Sequence, residues 1–525
     1  MKKSGLLPVY LSVLLIGATS CGGGGGSGGG AAEIFQGPTA NTHPNVYDGY
    51  FLYGSNMGWL NDNWRDEDVA DILIGNPGRG WVGVGVNSLR PALPEYFVEQ
   101  WGYENKVNTF KYYFDQNAKL NVVFIGDSPS EQHREKRQYA TGVQSQSYEN
   151  LYEPIWIEGQ GGRTVNRNNH YAWYVYNLVT RYKNYVKFWE IKNEPDLTGS
   201  NSGWDGNWLT RDPYPAELVN FGAPIQSYIR MLRISYEVIK SVDPQAYVCV
   251  GGIGYESFLD AILRNTDNPD SGKVTERYPY KGGAWFDCLS FHIYPMYSLR
   301  SWENNRHSDA AVAAVENQTK TYVDLLKNYG YGNVYPAKEM IITETNIPGK
   351  EIGDFIGSDQ AQRNYLMKAA VIGQKNQIRG IYPFCVWDAR ERDQAGWEYD
   401  FMGFYKPLPN SPGSGTLRVN ESGTGWRTTS RLLGNRKYDE DETLRLNLPA
   451  QVDGGAFYSS SANDYVYALW AKTTTDRSES ASASYSFPAS MGVTGMDAFN
   501  WEETQTSISG NTVSLTATPL FIKTR

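Results

Sequence analysis

The sequence predicts a (β/α)8 barrel of the TIM type followed by a C-terminal antiparallel β-sandwich. Up to about residue 435, eight short apolar segments alternate with helical or polar stretches, which is typical of parallel strands covered by helices. From Arg436 onward the pattern changes to period-two strands with polar turns and no helix between them. A chain of 525 residues has room for both parts.

The composition is that of an ordinary globular protein, with 40% hydrophobic and 20% charged residues. The net charge of -9 gives no electrostatic footprint for nucleic acid, so we expect no nucleic-acid partner. The aromatic content is 14%, and flat aromatic faces pack against the C–H faces of sugar rings. Aromatic residues also build large cores, so this excess favours a carbohydrate binder only weakly.

The first 21 residues are predicted to be a targeting segment. Lys2 and Lys3 precede an apolar run at 6–16 that is too short to span a membrane. The following Ala-Thr-Ser-Cys resembles a bacterial lipobox, in which Cys21 becomes the lipidated first residue. A glycine-rich tether follows. The sequence therefore predicts an exported lipoprotein anchored to a membrane on its periplasmic or cell-surface side.

The predicted domains are a signal peptide at 1–21, a flexible tether at 22–44, the barrel at 45–435 and the sandwich at 436–525. Three further cysteines lie in apolar, strand-like runs and are predicted to be buried core residues: Cys249, Cys288 and Cys385. A disulfide between two of them remains open in an exported protein. Their spacings fit no zinc pattern, and we expect neither a metal nor a cofactor.

The predicted barrel strands are short apolar runs, taken here in chain order. They are 49–56, 81–87, 120–126, 186–191, 247–252, 286–292, 340–343 and 380–386. Helical periodicity predicts helices at 66–74, 94–101, 106–117, 170–185, 226–242, 310–328, 359–376 and 426–433. An open doubly wound sheet is the competing fold, but Gly83 and Gly85 lie inside a predicted strand and not in a nucleotide-binding turn.

Two long insertions, at 127–167 and 198–215, follow the third and fourth predicted strands. Because loops after barrel strands lie on the active face, we interpret both as walls of a cleft. In the tail, strands are predicted at 443–448, 464–471, 481–487 and 512–523. We expect the sandwich to be structural, with carbohydrate binding as the alternative.

Polar side chains gather where the predicted strands end. Glu194 lies in an Asn-Glu-Pro turn after strand four, and Glu344 ends strand seven. A carboxylate at the end of an apolar strand costs free energy unless it is paired, hydrated or used. On a closed barrel these ends converge on one face. The other predicted members of this pocket are Arg90, Asn193, His292, Tyr294 and Trp387.

Four segments carry a resemblance to a known superfamily. They are Trp-Glu-Ile-Lys-Asn-Glu-Pro at 189–195, Ser-Phe-His-Ile-Tyr at 290–294, Ile-Thr-Glu-Thr-Asn at 342–346 and Val-Trp-Asp at 386–388. Together they resemble glycoside hydrolase clan A, whose members are retaining β-glycosidases built on this barrel. The resemblance covers about residues 45–435. It implies that Glu194 is the acid/base and that Glu344 is the nucleophile.

The same resemblance implies substrate contacts from Asn193, His292, Tyr294, Trp387 and Arg90. The two long insertions suggest an extended cleft, and hence an endo-acting enzyme on a polysaccharide or oligosaccharide. The overall layout is most similar to clan members that cleave algal galactans such as agar, porphyran or carrageenan. Xylan, mannan and β-glucan enzymes share the central motifs and remain open as alternatives. A transglycosylase and a non-catalytic glycan-binding lipoprotein also remain open.

Overall fold

The computed structural model describes residues 46–57, 63–199, 203, 206–300 and 304–525, all within one compact unit, Ile34–Arg525. The predicted signal peptide, the lipobox with Cys21 and the tether lie outside the described residues. Among the residues that are described, no helix has the length and apolar character needed to cross a membrane.

Eight parallel strands form the first sheet, in the order β2-β1-β8-β7-β6-β5-β4-β3. They are β1 Leu52–Asn56, β2 Ser88–Arg90, β3 Asn121–Ile125, β4 Val186–Ile191, β5 Tyr247–Ile253, β6 Cys288–Ile293, β7 Glu339–Thr345 and β8 Ile378–Pro383. Just beyond β2, Ala92 forms a parallel bridge with Phe124 of β3, where the two edges of the sheet meet. The sheet is a nearly closed barrel, and the predicted fold class is confirmed.

Helices alternate with these strands. They are α1 Asp66–Ile74, α2 Glu95–Trp101, α3 Val107–Asp115, α4 His170–Tyr182, α5 Ile225–Val242, α6 Glu256–Arg264, α7 Ser308–Asn328, α8 Asp359–Lys375 and α9 Glu421–Leu433. Helix α6 was not predicted, although its nine residues carry an apolar face at helical spacing that could have revealed it.

The predicted second strand at 81–87 is wrong, since β2 begins only at Ser88. Gly83 and Gly85 have φ values of 75° and 78°, which a strand does not use. The amides of Val84 and Val86 donate to the Leu73 carbonyl of α1 at 2.9 and 3.2 Å. The apolar character of this run therefore reflects packing on α1 and not strand pairing.

The C-terminal part is antiparallel. Its elements are β9 Lys437–Asp439, α10 Glu440–Arg445, β10 Val452–Ser459, β11 Asp464–Ala471, β12 Ser482–Ser486, β13 Gly495–Phe499, β14 Gln505–Ser509, β15 Thr512–Thr516 and β16 Leu520–Thr524. Six strands form one sheet, in the order β14-β13-β16-β11-β10-β9, and β12 pairs with β15. Apolar side chains from both sheets share one core cluster, as in a sandwich.

Two predictions in this tail are wrong. The segment predicted as a strand at 443–448 overlaps α10, which Asp439 begins by accepting a hydrogen bond from the Glu442 amide. The long strand predicted at 512–523 is two strands, β15 and β16. Pro519 lies in the break, where its missing N–H would interrupt a ladder.

A separate core cluster fills the inside of the barrel beneath the active face. It consists of Tyr47, Leu52, Val122, Phe188, Tyr247, Cys249, Cys288, Ile341 and Tyr382. Cys249 and Cys288 are register partners on β5 and β6. The cysteines at 249, 288 and 385 are all buried and free. The site above this cluster therefore rests on a packed floor.

Candidate active site

The structure brings six of the seven predicted side chains together at the carboxyl ends of the strands. Glu344 lies on β7, His292 on β6 and Arg90 at the end of β2. Asn193 and Glu194 follow β4, and Tyr294 follows β6. Trp387, beyond β8, is half-buried and pairs through its backbone with Tyr405. The substrate contact that the resemblance implies for Trp387 stays a prediction.

Glu344 is held by side chains from three other strand ends. Its Oε1 accepts hydrogen bonds from Arg90 Nη1 at 2.7 Å and from Asn56 Nδ2 at 3.0 Å. Its Oε2 accepts one from the Tyr294 hydroxyl at 2.6 Å. Burial alone raises the pKa of the Glu344 carboxyl, but the charges of His292 and Arg90 and these hydrogen bonds outweigh it and hold the pKa below its ordinary value. Glu344 is therefore kept ionised.

Arg90 is fully buried, so its charge must be paired. Its Nε and Nη2 donate to the two oxygens of Glu190 at 2.8 and 3.1 Å. Nη2 also donates to Asn193 Oδ1 at 2.6 Å. Glu190 accepts a further hydrogen bond from the Thr343 hydroxyl at 3.1 Å. Glu190 thus fixes the guanidinium that contacts both Asn193 and Glu344.

The turn that carries Glu194 has an unusual backbone. Lys192 and Glu194 have φ values of 67° and 47°, in the left-handed region that non-glycine residues rarely use. The surrounding structure holds the turn in place: Asp127 Oδ2 accepts from the Asn193 amide at 2.9 Å, and its Oδ1 lies 3.3 Å from Lys192 Nζ. The Glu194 amide donates to the Gly251 carbonyl at 3.1 Å. These contacts fix the position from which Glu194 reaches the pocket.

His292 lies between the two glutamates. Its Nδ1 is 2.8 Å from Glu194 Oε1 and 3.8 Å from Glu344 Oε2. Burial lowers the pKa of the His292 imidazole, but the charge of Glu344 and the hydrogen bond with Glu194 raise it above its ordinary value. The imidazolium is thus favoured between two carboxyl groups, where it lowers their mutual repulsion.

One carboxylate oxygen of each glutamate and a ring nitrogen of His292 lie within 4.8 Å of one another. The Glu194 side chain is 27% exposed and that of Glu344 is 12% exposed, so the former is the more open to solvent. Two carboxylates and an imidazole can also ligate a divalent cation. Here Arg90 and His292 already supply positive charge to Glu344.

A second group of possible metal ligands lies outside this pocket, at Glu95, Glu99 and His133. Glu95 Oε1 is 2.7 Å from His133 Nδ1, which is a hydrogen-bond distance. The contact is that of a buried carboxylate paired with an imidazole.

An aromatic wall stands beside the two carboxylates; we use this term for Tyr294, Tyr297, Phe355 and Tyr399. Tyr399 packs edge-to-face on Tyr294, with ring centroids 5.1 Å apart. The Tyr399 and Tyr297 hydroxyls are 2.8 Å apart, and Phe355 packs edge-to-face on Tyr297 at 5.5 Å. Burial, Tyr297 and the charges of Glu194 and Glu344 all raise the pKa of Tyr399, in agreement with its place near both carboxylates.

Four residues of the site were not predicted to belong to it: Asn56, Glu190, Gly252 and Tyr399. Asn56 ends β1, so the criterion that selected the other strand ends could have found it. Glu190 lies within β4 and carries no positional signal of its own. Gly252 has a φ of 50°, and a Cβ there would come within 2.3 Å of His292 Nε2. Only glycine fits this place beside the imidazole.

No protein-family model matches the chain, and no curated protein matches its sequence. Solved structures are similar in fold. A conserved exported protein from Bacteroides fragilis has a TM-score of 0.53 at 11% identity, over 92% of this chain and 99% of that one. At this identity the similarity shows a shared fold and nothing further.

Two other solved structures have lower TM-scores. A glucosidase from Croceicoccus marinus has a TM-score of 0.49 at 12% identity, over 93% of this chain and 98% of that one. Cel44A, a GH family 44 endoglucanase from Clostridium thermocellum, has a TM-score of 0.47 at 14% identity, over 91% of this chain and 97% of that one.

Proposed function

We propose that this chain is a retaining glycoside hydrolase that cleaves β-glycosidic bonds within a polysaccharide. The observation that carries the proposal is the pair Glu194 and Glu344, whose carboxylate oxygens come within 4.8 Å across the barrel mouth. Retaining glycosidases hold their two carboxyl groups about 5–5.5 Å apart, whereas inverting ones need about 6.5–9.5 Å for an intervening water. The short separation favours double displacement.

In the first step, a Glu344 oxygen bonds to the anomeric carbon while the glycosidic C–O bond breaks. Glu194 donates its proton to the departing oxygen. In the second step, Glu194 takes a proton from water, whose oxygen bonds to the anomeric carbon and displaces Glu344. The assignment of roles follows from the surroundings: Glu344 accepts three hydrogen bonds and is kept ionised, whereas Glu194 contacts only His292 among these groups and is more exposed.

The remaining side chains prepare this reaction. Because Arg90 holds Oδ1 of Asn193, the amide NH2 is left to donate to a sugar hydroxyl, a contact that strengthens in the transition state. Tyr294 orients Glu344, and His292 holds Glu194 near it. In this proposal Trp387 stacks beneath the sugar whose bond is cleaved.

For the substrate we propose an algal galactan such as agar, porphyran or carrageenan, cut at internal bonds. The support is the position of the insertions at 127–167 and 198–215, which follow β3 and β4 and so leave the barrel on its active face, where an extended cleft would suit a polymer. The later part of the first insertion packs on the outer helix α5, where the Trp156 indole donates to Glu237 at 2.9 Å.

Within the two insertions, Arg211 donates hydrogen bonds to both oxygens of Glu217, at 2.6 and 2.8 Å. The guanidinium of Arg167 lies over the ring of Trp173. The charge of Arg211 is thus offset by a carboxylate, whereas the ring contact leaves the charge of Arg167 in place. Agar and the sulfated galactans are therefore tested side by side.

The test is incubation of the full chain with a panel of polysaccharides: agarose, porphyran, carrageenan, xylan, mannan and β-glucan. We expect oligosaccharides of intermediate size from one galactan, released first as the β-anomer by proton NMR. Oligosaccharides of intermediate size from xylan, mannan or β-glucan would instead identify that polymer as the substrate. An α-anomer released first would exclude a retaining mechanism. If no polymer is cleaved, the result favours the alternative of a non-catalytic glycan-binding protein.

A transglycosylase would use the same two glutamates and pass the sugar to another sugar instead of water. Products longer than the substrate at high oligosaccharide concentration identify that outcome.

We also propose that the chain is exported and lipidated at Cys21. The support is the sequence pattern of residues 1–21. Mass spectrometry of the membrane fraction should find a diacylglyceryl group on this cysteine. Release of the protein into the soluble fraction by Cys21→Ser is the expected control.

A further inference from the structure

The loop between β11 and β12, residues 472–481, leaves the sandwich and contacts the barrel. Asp476 Oδ1 accepts from the backbone amide of Arg306 at 2.8 Å and from its Nε at 3.1 Å, and Oδ2 accepts from its Nη2 at 2.6 Å. The Arg477 amide donates to the Arg306 carbonyl at 2.9 Å. Glu479 accepts from the amide and hydroxyl of Ser308 at 2.8 and 2.6 Å. The loop is therefore hydrogen-bonded to residues 306–308, which lie between β6 and the first turn of α7.

These are charge-assisted contacts around a shielded side chain. Arg306 is only 6% exposed, and Asp476 meets it with both oxygens. The hydrogen bond from Arg306 is the largest influence on Asp476 and lowers the pKa of that carboxyl to about 2. Forked arginine–carboxylate pairs fix geometry as well as adding free energy. The loop holds Arg306 in one orientation.

A chain of direct contacts leads from Arg306 to the aromatic wall. Its Nη1 donates to the Asp354 carbonyl at 3.3 Å. The next residue, Phe355, packs edge-to-face on Tyr297, whose hydroxyl meets that of Tyr399. Tyr399 in turn packs on the ring of Tyr294, whose hydroxyl donates a hydrogen bond to Glu344. Each link is a contact between neighbouring groups, and the coupling along these links is what the variants below measure.

We propose that the 472–481 loop is a positioning element of the active site, which holds the aromatic wall in place through Asp476 and Arg306. The sandwich thus takes part in binding the substrate, in addition to covering the barrel. Glu344 is held separately, by Arg90 and Asn56. Loss of the loop contact should therefore loosen the wall more than the carboxylates. The kinetic part of this inference rests on the proposed function.

The kinetic test is Asp476→Ala in the full chain, measured on the polysaccharide that the panel identifies. We expect KM to rise about three- to tenfold with a smaller fall in kcat, because the wall borders the pocket proposed for the substrate, whereas Glu344 keeps its hydrogen bonds from Arg90 and Asn56. The matched control is Arg477→Gln in the same loop. Arg477 pairs with Glu351, and both side chains are nearly half exposed, so KM should stay within about twofold. An unchanged KM for Asp476→Ala would overturn the inference.

Tyr297→Phe tests the other end of the path. It removes the hydroxyl contacts with Tyr399 and Glu398, at 2.8 and 3.1 Å, and should raise KM in the same manner. The double variant with Asp476→Ala should then be little worse than the more affected single variant, since both act through one path. Independent, fully additive effects would exclude the path. If Asp476→Ala lowers Tm by several degrees, Asp476→Asn, which keeps the shape of the side chain, takes its place in both experiments.

Hydrogen exchange supplies a readout that needs no substrate. Backbone amides of residues 294–299 should exchange faster in Asp476→Ala than in the wild type, and at the wild-type rate in Arg477→Gln. Faster exchange in Asp476→Ala, together with no cleavage of any polysaccharide by the wild type, would contradict the proposed function but support the loop as a positioning element. Unchanged exchange in a folded Asp476→Ala variant would contradict the positioning role of the loop, whatever the activity of the variant.

Discussion

At the scale of single residues, the charge of Glu344 is controlled from several directions. Arg90 comes from β2, Asn56 from β1 and Tyr294 from the end of β6. Each donates to one carboxylate oxygen, and the geometry leaves little freedom for either oxygen to rotate away. A carboxylate that must attack carbon benefits from this arrangement, because its orientation is fixed before the substrate arrives.

Glu344→Gln should lower kcat by at least about 10⁴-fold, because the amide cannot form the covalent bond to the sugar. Folding and substrate binding should persist, since the side chain keeps its shape. Initial rates, Tm and a binding isotherm test this. The matched control is Glu339→Gln at the opposite end of β7, where Glu339 pairs with Arg379. The control should retain activity, and full activity in Glu344→Gln would remove it as the nucleophile.

Tyr294→Phe should shift the pH profile of kcat in a defined direction. The lost hydrogen bond is one of the contacts that lower the pKa of Glu344, so that pKa should rise. Activity needs the ionised form and is lost as the pH falls through this pKa, so the acid limb of the profile should move to higher pH. A fall in kcat of about 10- to 100-fold should accompany it. An acid limb that stays in place would mean that another group controls it.

Sequence reasoning found the chemical groups of the site but not all of the residues that hold them. Glu194 and Glu344 are marked by their position at strand ends. Glu190 is not, because its partner Arg90 lies 100 residues earlier and only the closed barrel brings the two together. The same is true of Gly252, whose lack of a side chain matters only beside His292.

At the scale of elements, local patterns predicted those whose own residues decide their structure. Strand β4 and helix α1 were placed at their observed ends, since one is a compact apolar run and the other begins with three acidic residues that favour a helix N-terminus. The segment at 81–87 is apolar for a different reason, its packing on α1. Strand β2 is three residues long and gives almost no pattern. Tertiary contacts decide both, and a single sequence does not display them.

Gly252→Ala should damage the end of β5. The residue has a positive φ, and the new methyl group would press on His292 Nε2 at 2.3 Å and Glu190 Oε1 at 2.7 Å. Crowding and backbone strain together should cost about 2–4 kcal/mol of unfolding free energy and most of the activity. Chemical denaturation and kinetics measure both. Gly254→Ala is the matched control, because nothing lies within 4 Å of its added Cβ. Equal stabilities of the two variants would contradict the structure.

At the scale of the whole molecule, the barrel and the sandwich share buried polar contacts. Asp309 of α7 receives the Trp470 indole and the Thr473 amide, both at 2.8 Å. It also pairs with Lys368, which has no exposed surface, at 2.7 Å. Buried charges of this kind need every partner. The two parts of the chain therefore depend on each other for stability.

A chain that ends at residue 435 should fail to fold into a soluble, active barrel. Truncation would expose Lys368 and Asp309 and remove the indole and amide donors from the carboxylate. Soluble yield, circular dichroism and activity are the measurements, with the full chain as the reference. Wild-type activity in the truncated chain would show that the barrel is independent and would also remove the role proposed for the 472–481 loop.

Arg90 has a consequence for the order in which the protein is assembled. Its three acceptors, Glu190, Asn193 and Glu344, lie 100, 103 and 254 residues further along the chain. A growing polypeptide therefore presents this cation long before its counter-ions exist, and contacts of such sequence separation form slowly. Desolvating the guanidinium is unfavourable until Glu190 of β4 has docked, and its Nη1 has its carboxylate partner only when Glu344 of β7 follows. We therefore expect closure of the barrel and completion of the pocket to be late and coupled steps of folding.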